Sequence, residues 1–181
     1  MPDKNIDLVP LKNVDIPEFK QKIQLAFQRG YEAEFGQNEK QVLPEKDIDR
    51  SLNGKGAHAY KAMQNGDMIG GAVVSIENKT GINHLDLLFV KCGCQSKGIG
   101  QAIWRAIEAQ YPETKVWKTC TPYFEKRNIH FYVNCCGFHI VEFFNPLHKE
   151  KRSIDESLEG MCDEASSYFF VFEKAMNRVA E

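Results

Sequence analysis

Apolar residues recur at every fourth position from Phe19 through Ile23 and Phe27 to Tyr31, the stripe of an amphipathic helix spanning Ile16 to Phe35. Asp15 stands at the expected N-cap, Pro17 falls in the first turn, and Gly30 weakens the helix near its end. Before it, Ile6–Leu11 reads as a first strand, with Pro10 marking an edge or a strand end. A second, short helix is expected over Pro44 to Leu52, closed by Asn53-Gly54. The period then changes from four to two. Ala57–Gln64 and Met68–Glu77 read as strands joined by an Asn65-Gly66 hairpin turn, and Gly70-Gly71 signals a bulge or a close backbone approach. Asn78–Gly81 turns the chain into a third strand, Ile82–Val90.

The second half alternates more quickly. A helix over Gln101–Gln110 is stopped by Pro112, and Lys115–Thr119 forms the next strand. Lys126–Asn134 is a short helix with Gly137 as its C-cap, followed by a strand over Phe138–Phe144. Asn145–Ala165 is a long polar loop, and Ser167–Glu173 is the last strand. The order β-α-α-β-β-β-α-β-α-β-β predicts an α/β mixed sheet: a mostly antiparallel meander, one strand–helix–strand crossover giving a parallel pair, and helices on both faces. With no repeat, low-complexity tract or linker, residues 1–181 read as a single domain.

Composition narrows the functional classes. Hydrophobic residues at 43% and charged residues at 27% describe a globular chain, and a net charge of −2 argues against a surface spread over nucleic acid. The opening MPDKNIDLVP has no apolar core, so no secretory signal is expected, and no run approaches a membrane span. The expected setting is the cytoplasm. The six cysteines lack the paired C-x₂-C rhythm of a zinc site, and are expected as reduced structural thiols with no metal bound.

The chemistry concentrates where the third strand ends. Gln95-Ser96-Lys97-Gly98-Ile99-Gly100 leads from a strand into a helix, so closely spaced glycines and unpaired helix-entry amides together suit an anion. Neither a P-loop nor a dinucleotide fingerprint fits this spacing. The pattern Q-x-x-G-x-G at Gln95, Gly98 and Gly100 resembles the pyrophosphate-binding motif of the GNAT family of N-acetyltransferases. About 30 residues on, Phe131, Tyr132, Gly137 and Phe138 resemble that family's F-Y-x-x-x-G-F segment, and the predicted element order matches the family architecture.

The resemblance implies acetyl-CoA as cosubstrate, with its pyrophosphate on Gln95, Ser96, Lys97, Gly98, Ile99, Gly100 and Gln101, and with further phosphate contacts open to Lys91, Arg105, Lys118, Lys126 and Arg127. It implies that the strand before the turn splays from its parallel neighbour, so that Leu88, Phe89 and Val90 pair with pantetheine like an added strand. Tyr132 is then the acid that protonates the departing thiolate, a role suited to a phenol that stays protonated at neutral pH. Where many members carry asparagine, seven residues before the tyrosine, this chain has Glu125; Asn128 is the nearest amide.

An acceptor amine must lose a proton to attack, at a cost of roughly 4–5 kcal/mol at pH 7 for a lysine-like amine. His84 and Asp86 lie two apart on one strand face: His84 is the more attractive base, while Asp86 could instead hold a cationic acceptor. Glu32, Glu34 and Glu39, with Asp155, Glu156, Glu159, Asp163 and Glu164 in the long loop, would favour a small cationic amine. The expectation is therefore an N-acetyltransferase acting on such an amine by direct attack in a ternary complex, with homodimers common in the family. Acetylation of a protein N-terminus or lysine, an acyl-CoA-binding sensor without catalysis, and nucleotide-phosphate binding unrelated to coenzyme A are the competing readings.

Overall fold

The computed structural model describes residues 5–149 and 168–177. The elements are β1 (Asp7–Pro10), α1 (Ile16–Phe35), α2 (Glu45–Leu52), β2 (Ala57–Gln64), β3 (Asp67–Ser75), β4 (Ile82–Val90), α3 (Ile99–Gln110), β5 (Val116–Pro122), α4 (Lys126–His130), β6 (His139–Phe144) and β7 (Phe169–Ala175). The seven strands form one sheet in the order β1-β2-β3-β4-β5-β7-β6. Every neighbouring pair is antiparallel except β4 and β5.

Each face of the sheet has its own core. On one, Phe19 and Ile23 of α1 and Ile48 of α2 pack on Met68, Val73, Leu87 and Phe89. On the other, Ile103, Trp104 and Ile107 of α3 join Val74, Leu85, Trp117, Tyr132, Phe138 and Phe172. Fully burying each such side chain contributes roughly 1.5–3 kcal/mol, so this packing anchors both helix layers.

A bulge in β4 reassigns its side chains between these cores. Val73 pairs with Leu87 but Val74 pairs with Leu85, leaving Asp86 as the extra residue. Leu85 and Leu87 would share a face in a regular strand, yet they serve opposite cores. The Gly70-Gly71 pair answers to close approach: a Cβ at Gly70 would sit 2.5 Å from the Phe89 carbonyl oxygen, and one at Gly71 would sit 2.6 Å from both the Tyr60 carbonyl oxygen and the Phe19 ring.

The structure departs from the sequence reading at several element ends. Asp15 does not cap α1; its carboxylate accepts the Lys12 amide at 2.9 Å and pairs with Lys61 Nζ at 2.7 Å. Helix α1 runs through Gly30 and ends at Gly36, whose φ of 86° is a glycine conformation. Helix α3 begins at Ile99, two residues before the expected start, because Ala102 N–H already bonds to the Gly98 carbonyl at 3.0 Å. Strand β5 continues past Thr119 to Pro122, held by β7. The helix expected over Lys126–Asn134 is two pieces: α4, and then a wider π turn over Phe131–Cys135 in which Cys136 N–H reaches the Phe131 carbonyl at 3.0 Å. Most of the loop 145–165, with its acidic residues Asp155, Glu156, Glu159, Asp163 and Glu164, lies outside the described residues.

Candidate active site

Strands β4 and β5 pair for only three residues: Ile82 with Val116, Asn83 with Trp117, and His84 with Lys118. At the next step the Thr119 side chain replaces the ladder, its hydroxyl donating to the Leu85 carbonyl at 3.0 Å. Beyond that point β5 keeps β7 as its partner, and β4 keeps β3. Leu88, Phe89 and Val90 thus pair with Ala72, Gly71 and Gly70 on one side, while among the described residues no strand pairs with their other side. The expected splay is present as a fork whose apex is Leu85–Thr119.

One prong of the fork leads into the glycine turn. Ser96, with φ of 61°, and Gly98, with φ of 74°, alternate the backbone through left-handed conformations, which turns successive amides to one side as an anion nest does. The amides of Ile99, Gly100 and Gln101 open α3 without intrahelical acceptors. The turn is braced by Gln95, whose side chain accepts the Gly93 amide at 2.8 Å and donates to the Val90 carbonyl at 3.3 Å. Ser96, Lys97 and Gly98 are exposed, and nothing lies within 4 Å of a Cβ built on Gly98. This open, amide-lined space fits a diphosphate.

The two sequence motifs touch. A Cβ on Gly100 would stand 3.2 Å from the Phe131 ring, and Gln101 Nε2 donates to the Cys135 carbonyl at 2.7 Å. The first turn of α3 is thereby fixed to the π turn that carries Tyr132. The tyrosine is buried, with its ring against Phe131, Phe138 and Phe172 at centroid distances of 5.5–5.7 Å. Burial pushes the phenol above its ordinary value, with Thr119 acting in the opposite direction.

Asp86 and His84 share the surroundings of the β4 bulge. Asp86 is buried and its carboxylate accepts the Ser75 hydroxyl at 2.5 Å; burial raises its pKa to about 6, against the opposing pull of Ser75. His84 is half-buried between Ser75 and Lys118 in the sheet. His84 and Asp86 thus stand on β4 where the parallel ladder ends, and Tyr132 on the turn after α4.

Several other candidate residues have partners within the protein. Lys91 pairs with Asp67 at 2.5 Å and Lys118 with Glu173 at 2.9 Å, so both charges are answered within the protein. Asn128 donates to the Thr121 hydroxyl at 3.3 Å, binding α4 to β5. Glu125 precedes α4, and its carboxyl is raised by burial and then by the charge of Glu34, with Arg127 opposing. It thus faces the end of α1 rather than the glycine turn. There Tyr31 and Phe35 pack on Phe124, whose ring also meets Tyr123. Sequence reasoning missed Thr119 and Ser75. The alternation of Trp117, Thr119 and Thr121 was visible, but the bond of Thr119 to the Leu85 carbonyl forms only once β4 and β5 lie side by side.

This arrangement is shared. The Acetyltransferase (GNAT) family model matches residues 21–138. The chain is 46% identical over 174 residues to YrkN, an uncharacterized protein of Bacillus subtilis (strain 168), covering 92% of this chain and 91% of that one. Among solved structures it resembles a GNAT family acetyltransferase from Elizabethkingia anophelis with acetyl-CoA bound (TM-score 0.67, 16% identity, 96% and 99% of the two chains). It also resembles the ribosomal-protein-S18-alanine N-acetyltransferase of Escherichia coli (TM-score 0.66, 13% identity, 98% and 97%). At these identities the likeness is one of fold. The chain belongs to the GNAT acetyltransferase family.

Proposed function

We propose that this protein transfers the acetyl group of acetyl-CoA to a primary amine of a small cationic molecule, by direct attack in a ternary complex. The fork carries this reading: β4 presents the backbone of residues 86–90 unpaired beside β5, with the amide nest at its open end and the turn carrying Tyr132 fixed to that nest. Acetyl-CoA supplies an activated acyl group and a thiolate leaving group. The amides of Ser96–Gln101 hold the diphosphate, and Leu88–Val90 pair with the pantetheine arm. Asp86 takes the proton from the attacking nitrogen; its pKa of about 6 leaves it ionised at neutral pH while keeping it basic. Tyr132 stays protonated until it donates to the sulfur.

Glu34 and Glu125 support a cationic acceptor. They lie together beside the Tyr31–Phe35–Phe124 rings, and an amine cation there would relieve the repulsion that raises Glu125. The proposed setting is the cytoplasm, whose reducing poise suits the free thiols at Cys92, Cys94, Cys120, Cys135 and Cys136. The test is thiol release from acetyl-CoA against polyamines, aminoglycosides, amino acids and basic peptides. Turnover with a small di- or polycation is the expected result. Turnover with peptides alone would move the acceptor to protein amines, and binding of acetyl-CoA without turnover across the panel would make the chain an acyl-CoA sensor.

A further inference from the structure

Ser75 ends β3, and its hydroxyl donates to Oδ2 of Asp86 at 2.5 Å, a length proper to a hydroxyl on a carboxylate. The β4 bulge makes that bond. Along β3, Val73 belongs to the α1–α2 core while Val74 and Ile76 belong to the α3 core, so alternation turns Ser75 to the α1–α2 face. Counted back from Leu88 and Val90, which pack in the α3 core, an unbroken β4 would turn residue 86 to the α3 face, away from Ser75. The extra residue brings Asp86 round to the serine instead. Asp86 is only 6% exposed, and with Oδ2 held its carboxylate is no longer free to rotate.

We propose that Ser75 is the positioning residue of the proton-transfer step: it holds Oδ2 of Asp86, so that Oδ1 is the oxygen that receives the proton of the attacking nitrogen. This rests on the acetyltransferase reading above. The nitrogen lone pair forms the new bond to the acyl carbon. The proton passes from nitrogen to Oδ1, leaving the N–H electron pair on nitrogen, and the carbon–sulfur pair departs with sulfur. Ser75 keeps its own proton throughout. Its bond counts most while Asp86 is ionised, because a hydroxyl stabilises a carboxylate more than the neutral acid. Burial acts against that charge and the Ser75 bond supports it. Of the charged groups on elements packed against β4, Lys20 of α1 is paired with Glu45 and Asp49, Lys22 with Glu18 and Asp67, and Lys118 of β5 with Glu173. Glu108 of α3 is paired with Lys174 on the opposite face, and His84 is the other titratable group of β4.

The test compares Ser75→Ala, which removes the hydroxyl, with Ser75→Thr, which keeps it. The proposal expects Ser75→Ala to lower kcat about tenfold with the KM for acetyl-CoA within about twofold, Ser75→Thr to restore most of it, and Ser75→Ala to add nothing on an Asp86→Asn background. Losing a bond to the ionised form should also move the acid limb of the rate profile upward by about half a pH unit or more. An unmoved limb, equal losses in both backgrounds, or no rescue by threonine would overturn the proposal. A second readout needs no activity: the ¹³Cγ titration of Asp86 in the ligand-free chain, assigned by its loss in Asp86→Asn. Its midpoint should rise in Ser75→Ala and return in Ser75→Thr; an unmoved midpoint overturns the positioning role. A wild type inert toward every amine, with that midpoint shift intact, would instead overturn the acetyltransferase reading and leave only the bond between the two residues standing.

Discussion

Gln101 and Cys135 are joined by one hydrogen bond of 2.7 Å, from the glutamine side chain to the cysteine carbonyl, across 34 residues of chain. It couples the amide nest to the turn carrying Tyr132, so the cradle and the acid we propose share one rigid frame. Removing the glutamine side chain should loosen both. We expect Gln101→Ala to destabilise by about 1 kcal/mol, lowering Tm by about 2–4 °C, and to raise the KM for acetyl-CoA a few-fold. Thermal unfolding and initial-rate kinetics on one preparation check this.

On the proposed mechanism, Asp86 ties stability to activity with opposite signs. Its folded pKa of about 6 lies above its unfolded value, so the folded chain holds the extra proton between about pH 4 and 6. Its contribution to stability is present below the unfolded pKa and lost as pH rises through 6. At pH 7.5 the buried carboxylate costs on the order of 2–3 kcal/mol. Asp86→Asn should therefore raise Tm at pH 7.5 by several degrees, with the gain vanishing towards pH 4. The same change should lower kcat by about 100-fold and abolish an acid limb near pH 6 in the rate profile. An unchanged rate would move the base to His84.

Tyr132→Phe keeps the ring packing and removes the hydroxyl proposed as the acid. Its expected signature is a kcat reduced by about 100-fold with acetyl-CoA affinity retained, read from steady-state rates beside direct titration. A parallel loss of binding would mean that the tyrosine shapes the site rather than serving as its acid.

On the same proposal, Glu125 and Glu34 concern only the acceptor. Glu125→Gln should raise the KM for a cationic amine by about 3–10-fold without altering that for acetyl-CoA, and the effect should shrink at high salt. Rates measured at two ionic strengths decide between this and a solvated surface role.

The legible part of the molecule was its periodicity. The strands Ala57–Gln64 and Ile82–Val90 and the helix Ile16–Phe35 have the expected bounds, because turn residues such as Asn65-Gly66 and Asn78–Gly81 punctuate the strands and a four-residue apolar stripe runs along the helix. The glycine turn was legible because Gly98 takes a backbone conformation that few side chains adopt. The β4 bulge at Asp86 was not, since one extra residue leaves no mark on a strand whose faces are both buried. Asp15 also misled: its carboxylate is drawn to Lys61, 46 residues away, and a local cap competes poorly with that ion pair. The ion pairs of Lys91 and Lys118 were hidden in the same way, each carboxylate being brought near only by the folded sheet.

The central claim is that acetyl-CoA binds on the turn from Gln95 to Gly100, and calorimetric titration of acetyl-CoA into wild type and Gly98→Asn tests it most directly. Asparagine tolerates the left-handed backbone at Gly98, and its Cβ meets no protein atom within 4 Å, so the fold should hold while the side chain enters the space proposed for the diphosphate. We predict saturable binding to wild type, weakened by about tenfold or more in the variant at an unchanged Tm. No binding to wild type, or equal affinity in both proteins, would contradict the account.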